Sequence, residues 1–350
     1  MTPQAIAILQ VFGAALTFGL STPLSKLLMG RLDPMVLACM LYFGAWLGLS
    51  LLSLVPGESK GVRLEKRHAP FFLISVLIGG VLGQLLLMWG IAHTTASSAA
   101  LLMNLEVVWT VLIAGLFFGE HLGGRVLFAM ALMFGAGALI SYQGTGFFSF
   151  SSFSGFSLGS LAVVASFFCW GLDNNVTNRL SEIDPVELTR IKGALSGCLN
   201  LLFALCLGKQ LHWDSSVFWA LLLGALTYGG SLVLFIRALR VLGTARTGAF
   251  FGLSPFIGAL ASILILRDPI TPNLLVAGLV MALAAYLLLG ERHAHPHEHP
   301  ALEHEHFHEH DEHHRHHEGE ELPHCHLHVH EPLEHAHPHT PDLHHRHVHS

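Results

Sequence analysis

Ten apolar segments in series constrain this chain more than anything else in it. They run at roughly 4–28, 34–55, 70–92, 96–119, 124–143, 157–178, 185–207, 216–238, 247–267 and 271–290. Each approaches the roughly 20 residues that a helix needs to cross a bilayer core about 30 Å thick. The breaks carry charge, Pro or Gly, as in Arg31-Leu-Asp-Pro34, Pro56-Gly-Glu-Ser-Lys60, Arg67-His-Ala-Pro70, Gly119-Glu-His121 and Arg267-Asp-Pro269. Ten such segments have no polar face to show to water, which excludes soluble helix packing. Only 12% of the residues are charged, against about 25% in soluble domains. A cytosolic enzyme is therefore not expected, nor is a collagen-like, disulfide-framework or nucleic-acid-binding protein. The sixth and seventh segments are the most polar, with Asp173, Asn174, Asn175, Glu187, Arg190 and Lys192. The start, Met-Thr-Pro-Gln, has no basic stretch, so the first segment reads as a span and not a cleavable signal.

Lys and Arg in the loops orient the chain. With the N-terminus inside, the inner loops hold Lys60, Arg63, Lys66, Arg67, Arg125, Arg179, Arg237, Arg240 and Arg246. The outer loops hold Lys26, Arg31, Lys209 and Arg267. Both termini are thus expected in the cytoplasm, and the protein in the inner (cytoplasmic) membrane. Cys39, Cys169, Cys198 and Cys206 fall in spans and Cys325 in the tail, so no disulfide framework is implied.

The chain also repeats itself. Phe18-Gly19-Leu20 followed by Leu32-Asp33-Pro34 matches Trp170-Gly171-Leu172 followed by Ile183-Asp184-Pro185. Leu105-Glu106-Val107-Val108 followed by Gly119-Glu120 matches Leu253-Ser254-Pro255-Phe256 followed by Arg267-Asp268. Residues 1–143 and 157–290 read as two copies of a five-helix unit, joined by the Gly/Ser/Phe-rich linker 144–156. Because five is odd, the second copy enters the membrane from the opposite side. The expected fold is an all-α integral membrane protein of ten transmembrane helices in two inverted repeats, followed by a disordered tail. Inverted repeats are common among secondary transporters; a duplicated scaffold without transport is the alternative.

These residues carry a family resemblance. Phe18-Gly19-Leu20-Ser21-Thr22-Pro23, Asp33-Pro34 and the run from Ala96 to Trp109 continuing to Gly119-Glu120 resemble the drug/metabolite transporter superfamily, in its ten-helix form of two EamA-type repeats. The family commonly has Glu-Pro in the fourth helix; here Glu106-Val107 stands in the first copy and Ser254-Pro255 in the second. The resemblance covers about 1–290. It implies a carrier driven by an ion gradient, usually an exporter, without an ATP site.

Ionisable groups inside spans cost at least about 2.5–3.5 kcal/mol on insertion scales and are functional candidates by default. Glu106 lies mid-span with Asn104 two residues before it. It reads as a carboxylate that alternately holds a proton and a cation, or else as a helix-packing group. Asp173, Asn174 and Thr177 fall on one helical face, and the repeat aligns Asp173 with Ser21. Together with Glu106, Asp173 supplies two negative charges for a cation; alternatively the cluster merely ends the sixth helix. His93 and His121 lie near opposite ends of spans, each a possible ligand or proton carrier or a structural histidine. Gln84, Arg190 and Lys192 receive no role, and Met88 and Met103 read as packing.

The tail is a different material. Residues 291–350 hold 23 of the 27 His, 13 acids and three basic residues, a charge of −10 against +4 for residues 1–290. His-X-His repeats are formed by His293, His295, His297 and His299; by His304, His306, His308 and His310; by His324, His326, His328 and His330, with Cys325; and by His345, His347 and His349. His313 and His314 add to these. Neutral imidazole suits Zn, Cu and Ni. Six Pro and many acids argue against a packed domain. Several weak, exchangeable sites for Ni, Co or Zn are expected, with residues 302–321 able to become helical on binding. A pH sensor and a metal store are the competing readings.

The sequence is therefore read as an exporter of a divalent transition metal that confers metal resistance. The nickel and cobalt preference comes from the resemblance to superfamily members with such tails. Protons are the expected coupling ion, the bilayer the expected partner, and no cofactor is required. An exporter of an amino acid or other organic solute with a regulatory tail, and a non-transporting metal sensor, remain as alternatives. No nucleophile–base pair or phosphate-cradling loop suggests an enzyme.

Overall fold

The fold is known from a computed structural model, which describes residues 2–53, 64–118, 122–142, 156–211, 213–289 and four short stretches of the tail. Residues 1–290 and 291–350 form two separate compact units.

In the first unit a helix lies in each of the ten apolar segments. These are α1 (Pro3–Leu28), α2 (Pro34–Leu52), α3 (Lys66–Ala92), α4 (Ala96–Phe117), α5 (Gly124–Ser141), α6 (Leu158–Asn178), α7 (Pro185–Cys206), α8 (Ser215–Gly243), α9 (Arg246–Leu266) and α10 (Pro272–Leu289). Among the described residues, eight of these are long and apolar enough to cross a membrane by length and composition. Helix α6 is long enough, but Asp173, Asn174, Asn175 and Asn178 dilute its apolar character. In α10 the fully described part stops at Leu288.

The Asp-Pro pairs seen in the sequence are helix starts. The Asp33 carboxylate accepts the Met35 N–H at 2.9 Å, and Asp184 accepts those of Val186 and Glu187, both at 2.9 Å. Each Pro then sits in the first turn, where it gives up no hydrogen bond.

The rim of the bundle is greasy. Leu9, Leu16, Leu51, Phe117, Phe128, Leu264 and Leu279 are exposed, as a lipid-facing surface requires. The interior is lined with small residues such as Ala7, Ala14, Ala15, Ala99, Ala100, Ala277 and Ala284. Small side chains let backbones approach closely, which is how helices pack without a hydrophobic drive between them. Two crossings require glycine. A Cβ on Gly19 of α1 would lie 3.2 Å from the Gly258 nitrogen of α9. A Cβ on Gly171 of α6 would lie 2.9 Å from the Thr110 nitrogen of α4. Gly19 and Gly171 are the repeated glycines of the sequence, and Thr110 and Gly258 are related by the same offset as the second motif pair. Each half thus lays its first helix across the fourth helix of the other.

Two irregularities also occur twice. Helix α3 becomes π-helical over Val76–Gly83, and α8 does so over Ala225–Gly230. Helix α4 is interrupted at Met103–Asn104, and α9 at Gly252–Leu253.

The tail was expected to be disordered, with helix latent in 302–321. Its described stretches are strands: β1 (His293–His299), β2 (Leu302–His308), β3 (His324–His330) and β4 (Leu333–His339). β1 pairs with β4 and β2 with β3, both antiparallel. The reason lies in the pattern itself, since His-X-His alternates with the period of two that a strand has.

Candidate functional site

The α4 interruption positions the first carboxylate. The chain turns at Met103–Asn104, and a new helical segment starts at Leu105, so Glu106 sits in its first turn. Unpaired N–H groups and the helix dipole favour negative charge there. Its Oε1 accepts from Asn174 Nδ2 of α6 at 2.9 Å, and the same amide donates to Thr110 Oγ1 at 3.2 Å. Broken helices of this kind form the binding sites of many carriers.

Asn104 does not join Glu106. Its amide donates to the Leu101 carbonyl at 2.9 Å and faces the Met281 sulfur at 3.9 Å. It repairs the break in α4, as an amide beside freed carbonyls does.

Asp173 forms a second site on a different side of α6. Its Oδ1 accepts from Ser75 Oγ of α3 at 2.5 Å and from Thr177 Oγ1 at 3.2 Å. Its Oδ2 is ion-paired to Lys192 Nζ of α7. Both side chains are largely buried. Successive helical residues point about 100° apart, so Asp173 and Thr177 face α3 and α7 while Asn174 faces α4. The expectation of one shared face is corrected accordingly. The expectation of two negative charges is corrected too, because Lys192 compensates one of them.

The π-helical stretch of α3 makes room for this site. Gly79 lies against Asp173, and a Cβ there would be 2.8 Å from that residue's own Cβ. The π turn frees backbone carbonyls that the other helices take up. Trp170 Nε1 donates to the Gly79 carbonyl at 3.1 Å, Asn200 Nδ2 to that of Gly80 at 2.9 Å and Ser166 Oγ to that of Gly83 at 2.7 Å. Just beyond, Gln84 is fully buried. Its Oε1 accepts from Tyr228 of α8 at 3.2 Å, while its Nε2 has no partner among the described residues.

The remaining predicted residues lie elsewhere. Ser21 is buried in α1, and no hydrogen bond joins it to either carboxylate among the described residues. His93 is exposed at the end of α3, stacked on Trp89 and donating from Nδ1 to the Trp89 carbonyl at 2.7 Å. His121, His310, His313, His314, His345, His347 and His349 lie outside the described residues. Of the other tail ligands, only the backbone is described. Its register places His304 opposite His328, His306 opposite His326 and His295 opposite His337. Among the described residues no three His, Cys, Asp or Glu side chains come together to hold a metal.

Sequence reasoning missed polar contacts at both ends of the bundle, of which those of Glu182 and Asp268 join the two halves. At one end buried His68 accepts the Glu65 N–H at Nδ1 (3.1 Å), which leaves Nε2 to donate to Glu182 at 2.6 Å. Arg67 reaches the same Glu182 oxygen at 3.4 Å. At the other end Lys26 donates to the carbonyls of Ile91, Ala92 and Thr94, at 2.5, 3.0 and 2.9 Å. Nearby the Ser97 N–H donates to Asp268 at 2.7 Å. Nothing in the linear spacing announces these pairings, since their partners are 65 to 171 residues apart.

An apolar rim, a buried Asp173–Lys192 ion pair and a broken helix presenting a carboxylate define an integral membrane protein built like a carrier. The chain belongs to the EamA-like transporter family, whose model matches residues 5–142 and 157–290. A transporter of uncharacterised function from Methanothermobacter thermautotrophicus is 27% identical over 294 residues, covering 80% of this chain and 85% of that protein. An uncharacterised protein of Pseudomonas aeruginosa is 33% identical over 199 residues, covering 56% of this chain and 66% of that one. A solved crystal structure shares the fold with a TM-score of 0.54 at 16% identity, covering 81% of this chain and 95% of that one.

Proposed function

We propose that this EamA-family transporter is a secondary active exporter of a cation, with nickel or cobalt as the favoured cargo and protons as the coupling ion. Two inverted five-helix repeats rock around the interior site. The carrier sits in the inner membrane with both termini cytoplasmic, so the His-rich tail gathers the ion where it is exported from. The observation that carries this reading is Glu106, a carboxylate inside the bundle whose described partner is a neutral amide. A cation or a proton satisfies it in turn. The tail, with 23 imidazoles and 13 acids, argues for a metal.

A second reading has its own support. Asp173 with Lys192 presents both signs of charge, which also suits an amino acid or similar organic solute. The tail would then regulate the carrier.

A metal panel tests the first reading. Cells expressing the protein should tolerate more Ni²⁺ or Co²⁺ and hold less of it, and Glu106→Gln should abolish the effect. Equal metal content with and without the protein overturns it. Metal-independent flux of an amino acid in vesicles would favour the second.

A further inference from the structure

The Asp173–Lys192 pair belongs to one half of the bundle but is wedged against the other. Both residues lie on α6 and α7, yet Ser75 of α3 completes the carboxylate. Gly79 and Gly80 of the π-helical stretch clear the space, and a Cβ on Gly80 would lie 3.7 Å from Cε of Lys192. Every side of the carboxylate is engaged, Oδ1 by two hydroxyls and Oδ2 by the ammonium. Among the described residues, Tyr42, Glu106 and Cys169 are further titratable side chains within electrostatic reach of Asp173.

The pair has no counterpart in the first half. The repeat offset places Ser21 where Asp173 stands, and Met40 or Leu41 where Lys192 stands, all of them buried. The equivalent packing is thus built from neutral side chains, so the fold itself does not call for the charges.

A bare carboxylate between packed helices is costly. It would hold an empty carrier in whichever state lets water reach it. A lysine on a flexible four-carbon stem removes that obstacle by supplying a cation of its own. We propose that Lys192 is a tethered counter-cation. It occupies Asp173 while no cargo is bound, gives way when a cationic cargo binds there, and so lets the cargo-free carrier, with the coupling proton on Glu106, change sides. Loading exchanges one ionic partner of Asp173 for another, with no covalent bond made or broken. The site consequently admits only a cargo positive enough to outcompete an ammonium group. This inference rests on the carrier reading above, but not on which cation is carried.

The test uses full-length protein in lipid vesicles without added cargo, followed by hydrogen exchange. Peptides around 65–75 and 179–187 report one end of the bundle, and those around 92–98 and 267–273 the other. In the wild type both ends should exchange. In K192Q one end should exchange about ten-fold faster and the other about ten-fold slower, a reciprocal shift between global states. K192R should restore the wild-type pattern, and so should the neutral pair D173N/K192Q, which has no charge to trap. An unchanged pattern in K192Q, faster exchange at both ends, or a trapped double variant would each overturn the proposal. With Ni²⁺ as the probe, K192Q should lose net efflux by about 100-fold while Ni²⁺/Ni²⁺ exchange persists; undiminished net efflux would also overturn it. If wild-type vesicles move no Ni²⁺, the metal cargo is refuted, and hydrogen exchange alone decides the role of Lys192.

Discussion

Two carboxylates, one residue apart in their influence on α6, have opposite fates. Glu106 meets an amide, and Asp173 meets an ammonium. The second pairing has an energetic signature. Removing one partner of a buried ion pair costs about 3–5 kcal/mol, because the other charge is left uncompensated, whereas removing both is often neutral. Asp173→Asn alone should therefore lower the denaturation midpoint sharply in detergent. D173N/K192Q should recover most of that loss. Additive losses in the double variant would mean that the two side chains do not depend on each other. At this scale the sequence named both carboxylates, because charge inside an apolar run is conspicuous. It gave no role to Lys192, which lies near the polar start of α7. Ser75 was invisible as well, since a serine in a span has many harmless uses.

Among elements, the features that matter come in pairs. The Asp-Pro starts of α2 and α7, the π-helical stretches of α3 and α8 and the interruptions of α4 and α9 each occur once per half. The capping role is testable directly. Asp184 satisfies two N–H groups at the head of α7, the helix that carries Lys192. Asp184→Ala should cost about 1 kcal/mol of stability, typical of a lost N-cap, read as a lower melting temperature; Asp184→Asn should lose much less. An equal loss in both would point to the carboxylate charge and not the cap. The Asp-Pro motifs were legible because capping is local chemistry. The π-helical stretches were not. Gly79-Gly80 and Gly229-Gly230 mark both, but a glycine pair in a span equally suits close packing, and only the neighbouring helices reveal which carbonyls are freed.

At the level of the whole molecule, the chain joins a membrane bundle to a His-rich tail. Under the proposed function the tail raises local ion concentration without belonging to the pathway. Truncation after Arg292 should then weaken metal tolerance at low metal and leave export intact at high metal. Complete loss of export would place the tail in the pathway, and unchanged tolerance at every concentration would make it a store. The tail's Pro and acid content argued for disorder, whereas its strict alternation is that of a strand, and the described stretches follow the alternation.

The sequence by itself determined that the chain is a helical membrane protein with two similar halves, because burial in lipid demands long apolar runs and repeats preserve spacing. It determined where helices start and which acids are out of place. Only the tertiary structure decided what those acids meet. The partners of Asp173 come from α3, α6 and α7, and the described partner of the Glu106 carboxylate from α6. Whether a buried carboxylate is bare or compensated depends on which helices cross beside it, and that is settled by packing between segments remote in sequence.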